Sequence, residues 1–300
     1  MDDIREQWLL LISTPFYITI IGLELLLTHL QHRKTYSLKD TIANVYLMLL
    51  TAAIDLAFRV IVYLYILQFF YAHAIFNWKI NIVYWIVLVI AEDFVYYWLH
   101  RFDHEIRFFW AAHVTHHSSE KFNFSVGFRS SVFQPLYRFV YFIPIAWAGF
   151  KPLDIALVYS ATQIWGIFVH TELINKMGWL EYIFVTPSHH RVHHGSNPKY
   201  LDKNMGMFLI VWDKLFGTFQ PELPAEKYQP IKYGLTKNLE NPNAVSIVFH
   251  EWNQIIKDVF QKNITFKQRM LYLFGPPGYS HDGSRSTSDE MREIENKINH

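Results

Sequence analysis

The chain has 300 residues, a formal net charge of +1, 51% apolar and 18% aromatic residues, only 18% charged residues, and no cysteine. The near-zero charge offers no basic face to nucleic-acid phosphates, and the absence of cysteine excludes disulfides, thiolate metal sites and cysteine nucleophiles. The charged fraction is below the roughly 25% usual in soluble domains, so the excess apolar surface points to a bilayer.

In chain order, the N-terminus opens acidic (Met1, Asp2, Asp3), where a cleavable signal would be basic. Residues 8–28 read instead as a retained membrane anchor, despite Pro15 and Glu24. A second apolar stretch, 42–71, carries Asp55 and Arg59, which four-residue spacing puts on one helical face where they can pair. A third, 80–99, ends in an acidic and aromatic group: Glu92, Asp93, Tyr96, Tyr97 and Trp98. A fourth and a fifth, 132–150 and 153–169, are separated only by Lys151-Pro152 and read as a tight helical hairpin. A span needs about 20 residues, which four of these stretches approach, while 42–71 is longer than needed. Arg33, Lys34 and Lys39 follow the first stretch, and Arg101, Arg107, Lys121 and Arg129 follow the third. Lys79 alone marks the loop between the second and third. The basic loops are therefore expected on the cytosolic side, together with the C-terminal third. The expected fold is all-α: an integral membrane bundle of about four to five spans under a cytosolic helical cap. Residues 1–220 form the membrane-embedded catalytic unit, and 221–300 a cytosolic extension. In the cap, 178–185 suits an interface helix, 221–243 reads as loop, 244–260 as an amphipathic helix, and the polar tail from 275 as poorly ordered.

Histidine carries the chemistry. Of 16 copies, His100 and His104 make HxxxH, His113, His116 and His117 make HxxHH, and His190, His193 and His194 make a second HxxHH. Residues three and four apart share a helical face, so each motif is expected to aim its imidazoles one way, near the cytosolic end of a span. Eight or nine histidines exceed what one ion takes, and two metals with about four ligands each fit the count; imidazole suits Zn, Cu, Fe or Ni. His170 stands alone at the end of the fifth stretch as a ninth ligand or a donor behind the ligands. His189 adjoins the last motif off its spacing and is expected behind the ligands or as an acid/base helper. His29, His32, His73, His250, His281 and His300 are assigned to ordinary core or surface positions. A zinc protease needs HExxH, and His104-Glu105 starts that way, but Phe108 occupies the second histidine position.

With these motifs the sequence resembles the fatty acid hydroxylase and sterol desaturase superfamily, whose pattern is HxxxH, HxxHH and a later HxxHH. The HHSSE at 116–120, FRSSVFQ at 128–134 and TPSHHRVHHG at 186–195 are similar to its alkylglycerol monooxygenase branch. The likeness covers roughly 91–219. It implies two irons held by His100, His104, His113, His116, His117, His190, His193 and His194, with His170 matching a ninth position. It implies a bridging or orienting role for Glu105, the alternative being a surface carboxylate paired with a neighbouring Arg. Asn204, Gly206, Trp212 and Asp213 match the family's NxGxxxxxWDxLFGT stretch, the last two as structural braces. The implied activity is membrane-bound hydroxylation of a lipid with O2, cleaving alkylglycerol ethers, with tetrahydrobiopterin or a redox protein as electron donor. Hydroxylation or desaturation of a fatty acyl, sterol or isoprenoid chain is the alternative, and a non-catalytic metal or haem membrane protein is the reading from another class. Phe109, Trp110, Phe122, Phe124 and Phe128 are candidate channel residues, each of which ordinary interfacial packing would equally explain.

Overall fold

The structure is a computed structural model that describes residues 4–298, with side chains from residue 15 onward other than that of position 60. The expectations for Met1, Asp2, Asp3 and His300 lie outside the described residues. Within them the chain is helical, and its β structure is two isolated bridges, Phe184 with Leu209 and Gly195 with Tyr233.

α1 (Ile4–Leu30) contains Pro15, and from Pro15 to Leu30 it is apolar. α2 (Leu38–Ile61) runs on through a π-helical stretch, Val62–Leu67, into α3 (Gln68–Ala72). The continuous run Leu38–Ala72 and α4 (Ile82–Glu105) are both long and apolar enough to cross a membrane. Their outer faces carry Leu56, Leu64, Ile82 and Ile86 exposed, a surface that suits lipid and costs free energy in water. With these helices the chain is a membrane-associated protein. Asn81 caps α4 by accepting a hydrogen bond from the Tyr84 amide at 3.1 Å. Inside α2, Arg59 reaches Asp55 at 2.8 Å as the four-residue spacing predicts, and Arg138 joins the same carboxylate.

The hairpin departs from expectation. Residues 132–150 do not form one span: α6 is only Phe139–Trp147, about 14 Å at 1.5 Å per residue, against a hydrocarbon core of about 30 Å. The preceding stretch turns through short 3-10 segments at Val126–Phe128 and Gln134–Leu136, because Arg129, Gln134 and Arg138 there spend their polar groups on other helices. The return is as tight as read from Lys151-Pro152. Gly149 takes φ of +98°, an added Cβ would lie 2.1 Å from the Phe76 carbonyl oxygen, and α7 (Pro152–Phe168) starts three residues later.

The cap rests on α4. α5 (Arg107–His117) turns off its end, α8 (Pro187–His193) and α9 (Val211–Phe216) follow α7, and α10 (Ala244–Val259) packs against α5. Residues 178–185 hold one 3-10 turn, Gly178–Tyr182, with Trp179 and Tyr182 exposed. Residues 221–243 carry no helix, as read, and α10 nearly coincides with the expected amphipathic helix. The tail is a correction. After α11 (Phe266–Phe274), the tail from 275 carries a folded helix, α12 (Ser288–Ile298). The Thr287 amide donates to Glu290 Oε2 at 2.8 Å at the start of α12, and the Tyr228 hydroxyl donates to Glu295 at 2.7 Å. A polar composition looked unfoldable because these partners are distant in sequence.

Candidate metal centre

The nine motif and singleton histidines converge on two adjoining nests. His100, His104, His113, His117 and His193 offer one ring nitrogen each to the first; His116, His170, His190 and His194 do so to the second. Within each nest these atoms all lie within 4.8 Å of one another. The nests meet where His117 stacks on His194, with ring centroids 4.4 Å apart.

Here the expectation that each HxxHH aims one way is corrected. At 3.6 residues per turn, positions i and i+4 differ by about 40°, whereas i+3 lies about 60° to the other side. His113 and His117 therefore enter the five-histidine nest and His116 the other. In the second motif the roles invert: His190 and His194 enter the four-histidine nest and His193 crosses to the first. One helix thus feeds two sites through a single motif.

Hydrogen bonds fix the ring orientation. The His100, His116, His170 and His193 Nδ1 atoms lie 2.7, 2.8, 2.7 and 3.0 Å from the carbonyl oxygens of Met205, Arg129, Gly166 and Lys203. A carbonyl only accepts, so each Nδ1 carries the proton and each Nε2 presents a lone pair to its nest. His104 Nδ1 faces Asp202 at 3.2 Å, and His113 Nδ1 faces the Ser131 hydroxyl at 3.0 Å. The Nε2 atoms crowd together: His100 to His113 is 3.1 Å, His113 to His117 3.2 Å, His170 to His190 2.9 Å and His116 to His194 3.1 Å. Facing lone pairs repel unless a cation lies between them. Metal–nitrogen bonds of about 2.1 Å place neighbouring ligand atoms about 3.0 to 3.4 Å apart, which matches this crowding. His104 Nε2 and His193 Nε2 are buried without any hydrogen-bond partner, as free ligand atoms would be. The donor set fits metal.

Burial pushes His113, His117, His170, His190, His193 and His194 well below the ordinary imidazole range, helped by neighbouring rings, and pushes His116 down to about 4. Neutral imidazole is the form that binds metal. A pH dependence follows with a definite sign. His116 titrates near 6.5 when unfolded and about 4 when folded, so the unfolded chain takes up the proton first. Metal-free protein should keep its stability above pH 6.5 and lose it progressively as pH falls towards 4. Thermal melts of the metal-free form at about pH 7.5 and about pH 5 test this; a higher midpoint at the lower pH would contradict it.

Two candidates fall outside both nests. Glu105 is half-exposed and pairs with Arg101 at 2.8 Å, the surface alternative of the two roles considered. His189 sits at the start of α8, where its ring receives the Thr186 amide at 3.4 Å as half of a capping box, and packs edge-on to Phe219. Neither is among the clustered ligand atoms of the two nests. His73, His250 and His281 bond locally to Phe69, Ser246 and Tyr272, away from the centre. The braces behave as read: Asp213 accepts from the Met205 and Gly206 amides at 2.6 and 2.8 Å, and the Trp212 indole donates to Asp93 at 2.8 Å. Sequence reasoning missed Asp202, Ser131 and the four carbonyls behind the rings, since a backbone acceptor leaves no mark in a sequence.

A cavity of about 330 Å³ opens onto both nests, touching His100 and His113 of one and His116, His170 and His190 of the other. Its far wall comes from α2 and α7, at Met48, Thr51, Ser160 and Ile164, so it leads from the histidines towards the apolar helices. Of the aromatic channel candidates only Phe128 lines it. Phe122 stacks on His170 instead, Trp110 packs against His104 and His117, and Phe109 and Phe124 pack on Tyr137 and Phe168.

A helical bundle whose clustered histidines close two nests over one cavity defines a class, and residues 85–218 of the chain match the model of the fatty acid hydroxylase family. The chain is similar to the alkylglycerol monooxygenases. It is 34% identical to the human protein over 291 residues, covering 95% of this chain and 63% of that one. It is 34% identical to the Caenorhabditis elegans protein over 271 residues, covering 87% and 50%. An ornithine lipid hydroxylase of Rhizobium tropici is 34% identical over 134 residues, 44% of this chain and 40% of that one. The chain thus spans about half to two thirds of the length of the alkylglycerol monooxygenases it matches. No solved structure matches it.

Proposed function

We propose that the chain is a multi-pass membrane di-iron oxygenase that hydroxylates a lipid with O2, and that an alkylglycerol ether is its substrate. The observation that carries this is the pair of histidine nests opening together onto one cavity. The five imidazoles of His100, His104, His113, His117 and His193 would hold one iron, and the four of His116, His170, His190 and His194 the other. Five nitrogens exceed the four of a closed tetrahedral zinc site, which favours a metal of higher coordination. Iron so held supplies dioxygen activation and the oxidation of a C–H bond, with electrons from a tetrahydrobiopterin-like donor or a redox protein.

The protein's own part is to hold, orient and exclude. Carbonyls behind four of the rings, His100, His116, His170 and His193, fix their tautomers. α2 and α7 wall the cavity against water, while Met48 and Ile164 offer apolar surface to a chain and Thr51 and Ser160 offer hydroxyls to an ether or glycerol oxygen. The basic residues flanking the first and third apolar stretches support a cytosolic side for the centre. The alkylglycerol reading is supported by the relatives' names and by their coverage of most of this chain.

The test is turnover in nanodiscs with Fe(II), a pterin donor and O2, offering an alkylglycerol and an acyl lipid side by side. Aldehyde release from the ether lipid is expected. Ser160→Phe, which fills the cavity without touching a histidine, should lower turnover by at least tenfold with iron content unchanged, about 1.4 kcal/mol or more in the barrier. Hydroxylated acyl chains with intact ether would move the assignment to the acyl alternative. Full turnover in the Ser160→Phe protein would remove the cavity from the mechanism.

A further inference from the structure

The imidazoles of the five-histidine nest share an unusual support. Asp202 accepts from His104 Nδ1, the Lys203 carbonyl from His193 Nδ1 and the Met205 carbonyl from His100 Nδ1. Three of five rings are therefore aimed by one irregular strap, 202–205. The other nest does not use it: His116 and His170 lean on Arg129 and Gly166.

The strap cannot hold its own shape by regular hydrogen bonding. Asp202 and Asn204 both adopt left-handed φ, +54° and +55°. Its C-terminal half is pinned within the catalytic unit, where Asn204 bonds the His189 and Gln220 carbonyls and Asp213 bonds the Met205 and Gly206 amides. Its N-terminal half is pinned from the tail: Arg292 of α12 donates to the Leu201 carbonyl at 2.7 Å, and Ser288, at the start of α12, lies beside Asp202. α12 is in turn tied to the loop by Glu295, which accepts from the Tyr228 hydroxyl.

We infer that α12 is a positioning element for one metal only: through Ser288, Arg292 and Asp202 it sets the aim of His104, and so the metal affinity of the five-histidine nest but not of its neighbour. The inference rests on the two-metal reading above. A carboxylate behind a ligating imidazole fixes its tautomer and strengthens it as a donor, and losing such a partner costs about 10–100-fold in metal affinity. Asp202 is that carboxylate, and α12 keeps it in place.

The test uses full-length protein in nanodiscs loaded anaerobically with Fe(II), with release to a colorimetric chelator followed over time and iron counted by elemental analysis. Wild type should release two irons slowly. The Ser288→Ala/Arg292→Ala double variant and Asp202→Ala should each release one iron roughly 10–100-fold faster and the other at the wild-type rate. Adding the double variant to His194→Ala should leave neither iron firmly held, whereas adding it to His117→Ala, whose nest keeps four nitrogens, should speed release of that same iron further and leave the other at the wild-type rate. Asp202→Asn, which still offers an acceptor oxygen, should fall between, and Arg292→Lys should restore most of the retention; a generally loosened cap would show neither selectivity nor rescue. Faster release from both sites alike, or from neither, overturns the inference. If wild type takes up no iron, the two-metal reading itself fails and this inference with it, a result distinguishable from two irons that ignore α12.

Discussion

If the two nests each hold a metal as proposed, protein carrying His170→Ala or His190→Ala should lose one metal and nearly all of its turnover, while His189→Ala keeps the wild-type metal content. His189 and His190 are adjacent in sequence and equally buried, yet only His190 aims its ring into a nest. The four-histidine nest has no ligand to spare: removing one leaves three nitrogens, whereas the five-histidine nest keeps four after His117→Ala. The affinity lost at His170 or His190 should therefore exceed the roughly 10–100-fold that an outer partner costs, and should exceed the loss at His117. His189→Ala removes half of a capping box, worth about 0.5–2 kcal/mol of stability, and leaves the metal count unchanged. Glu105→Ala breaks a half-exposed pair with Arg101 and should be close to silent in both measures. Elemental analysis and turnover on the same preparations decide. Equal metal loss at His189 and His190 would mean that the nests are wrongly drawn.

That contrast marks how far the sequence could be read. The histidines were legible because imidazoles three and four apart on a helix are a pattern that composition does not produce by chance. Their partition was not, since it depends on how α5 and α8 are rotated against α4, and a motif looks the same whichever nest its middle member enters. α10 and the Asp55–Arg59 pair were legible from local spacing alone. The fourth span was misread because hydropathy counts residues without asking which of them are paid out in cross-links: Gln134 and Tyr137 both donate to Asp103, and Arg138 is drawn to Asp55. The tail was misread for the reciprocal reason, because polar residues look solvated until their partners are known. Arg292 donates to the Leu201 carbonyl, 91 residues away, and Glu295 accepts from the Tyr228 hydroxyl, 67 residues away.

The same distant pairing makes Arg107 the position where one substitution should cost the cap most. Its side chain is 1% exposed, and it holds three parts of the C-terminal region together. Nε contacts Glu251 at 2.6 Å and Nη1 contacts Asp258 at 2.7 Å, both on α10, while Nη1 also donates to the Tyr272 carbonyl of α11 at 3.3 Å. The Arg107 amide donates to the Gly275 carbonyl at 2.9 Å, just past α11. Arg107→Met would keep most of the apolar stem but leave Glu251 facing a protein interior without its partner; Asp258 would still have Arg285 at 2.8 Å. Breaking a buried pair from one side costs about 3–5 kcal/mol, because the remaining charge stays desolvated. For a unit of this size that corresponds to a melting point lowered by roughly 10 °C or more. Arg107→Lys keeps the charge but not the planar fork that meets two carboxylates and a carbonyl at once, so it should fall between the two. Replacing Glu251 by Leu in the Arg107→Met background removes the stranded charge and should recover part of the loss, which simple loosening of the helix contacts would not. Since α5 carries His113, His116 and His117 on the helix that Arg107 anchors at its start, the metal should be lost at the lowered melting temperature and not before it. A shift of less than about 1 kcal/mol in Arg107→Met would mean that α10 and α11 are held to α5 by their apolar contacts alone.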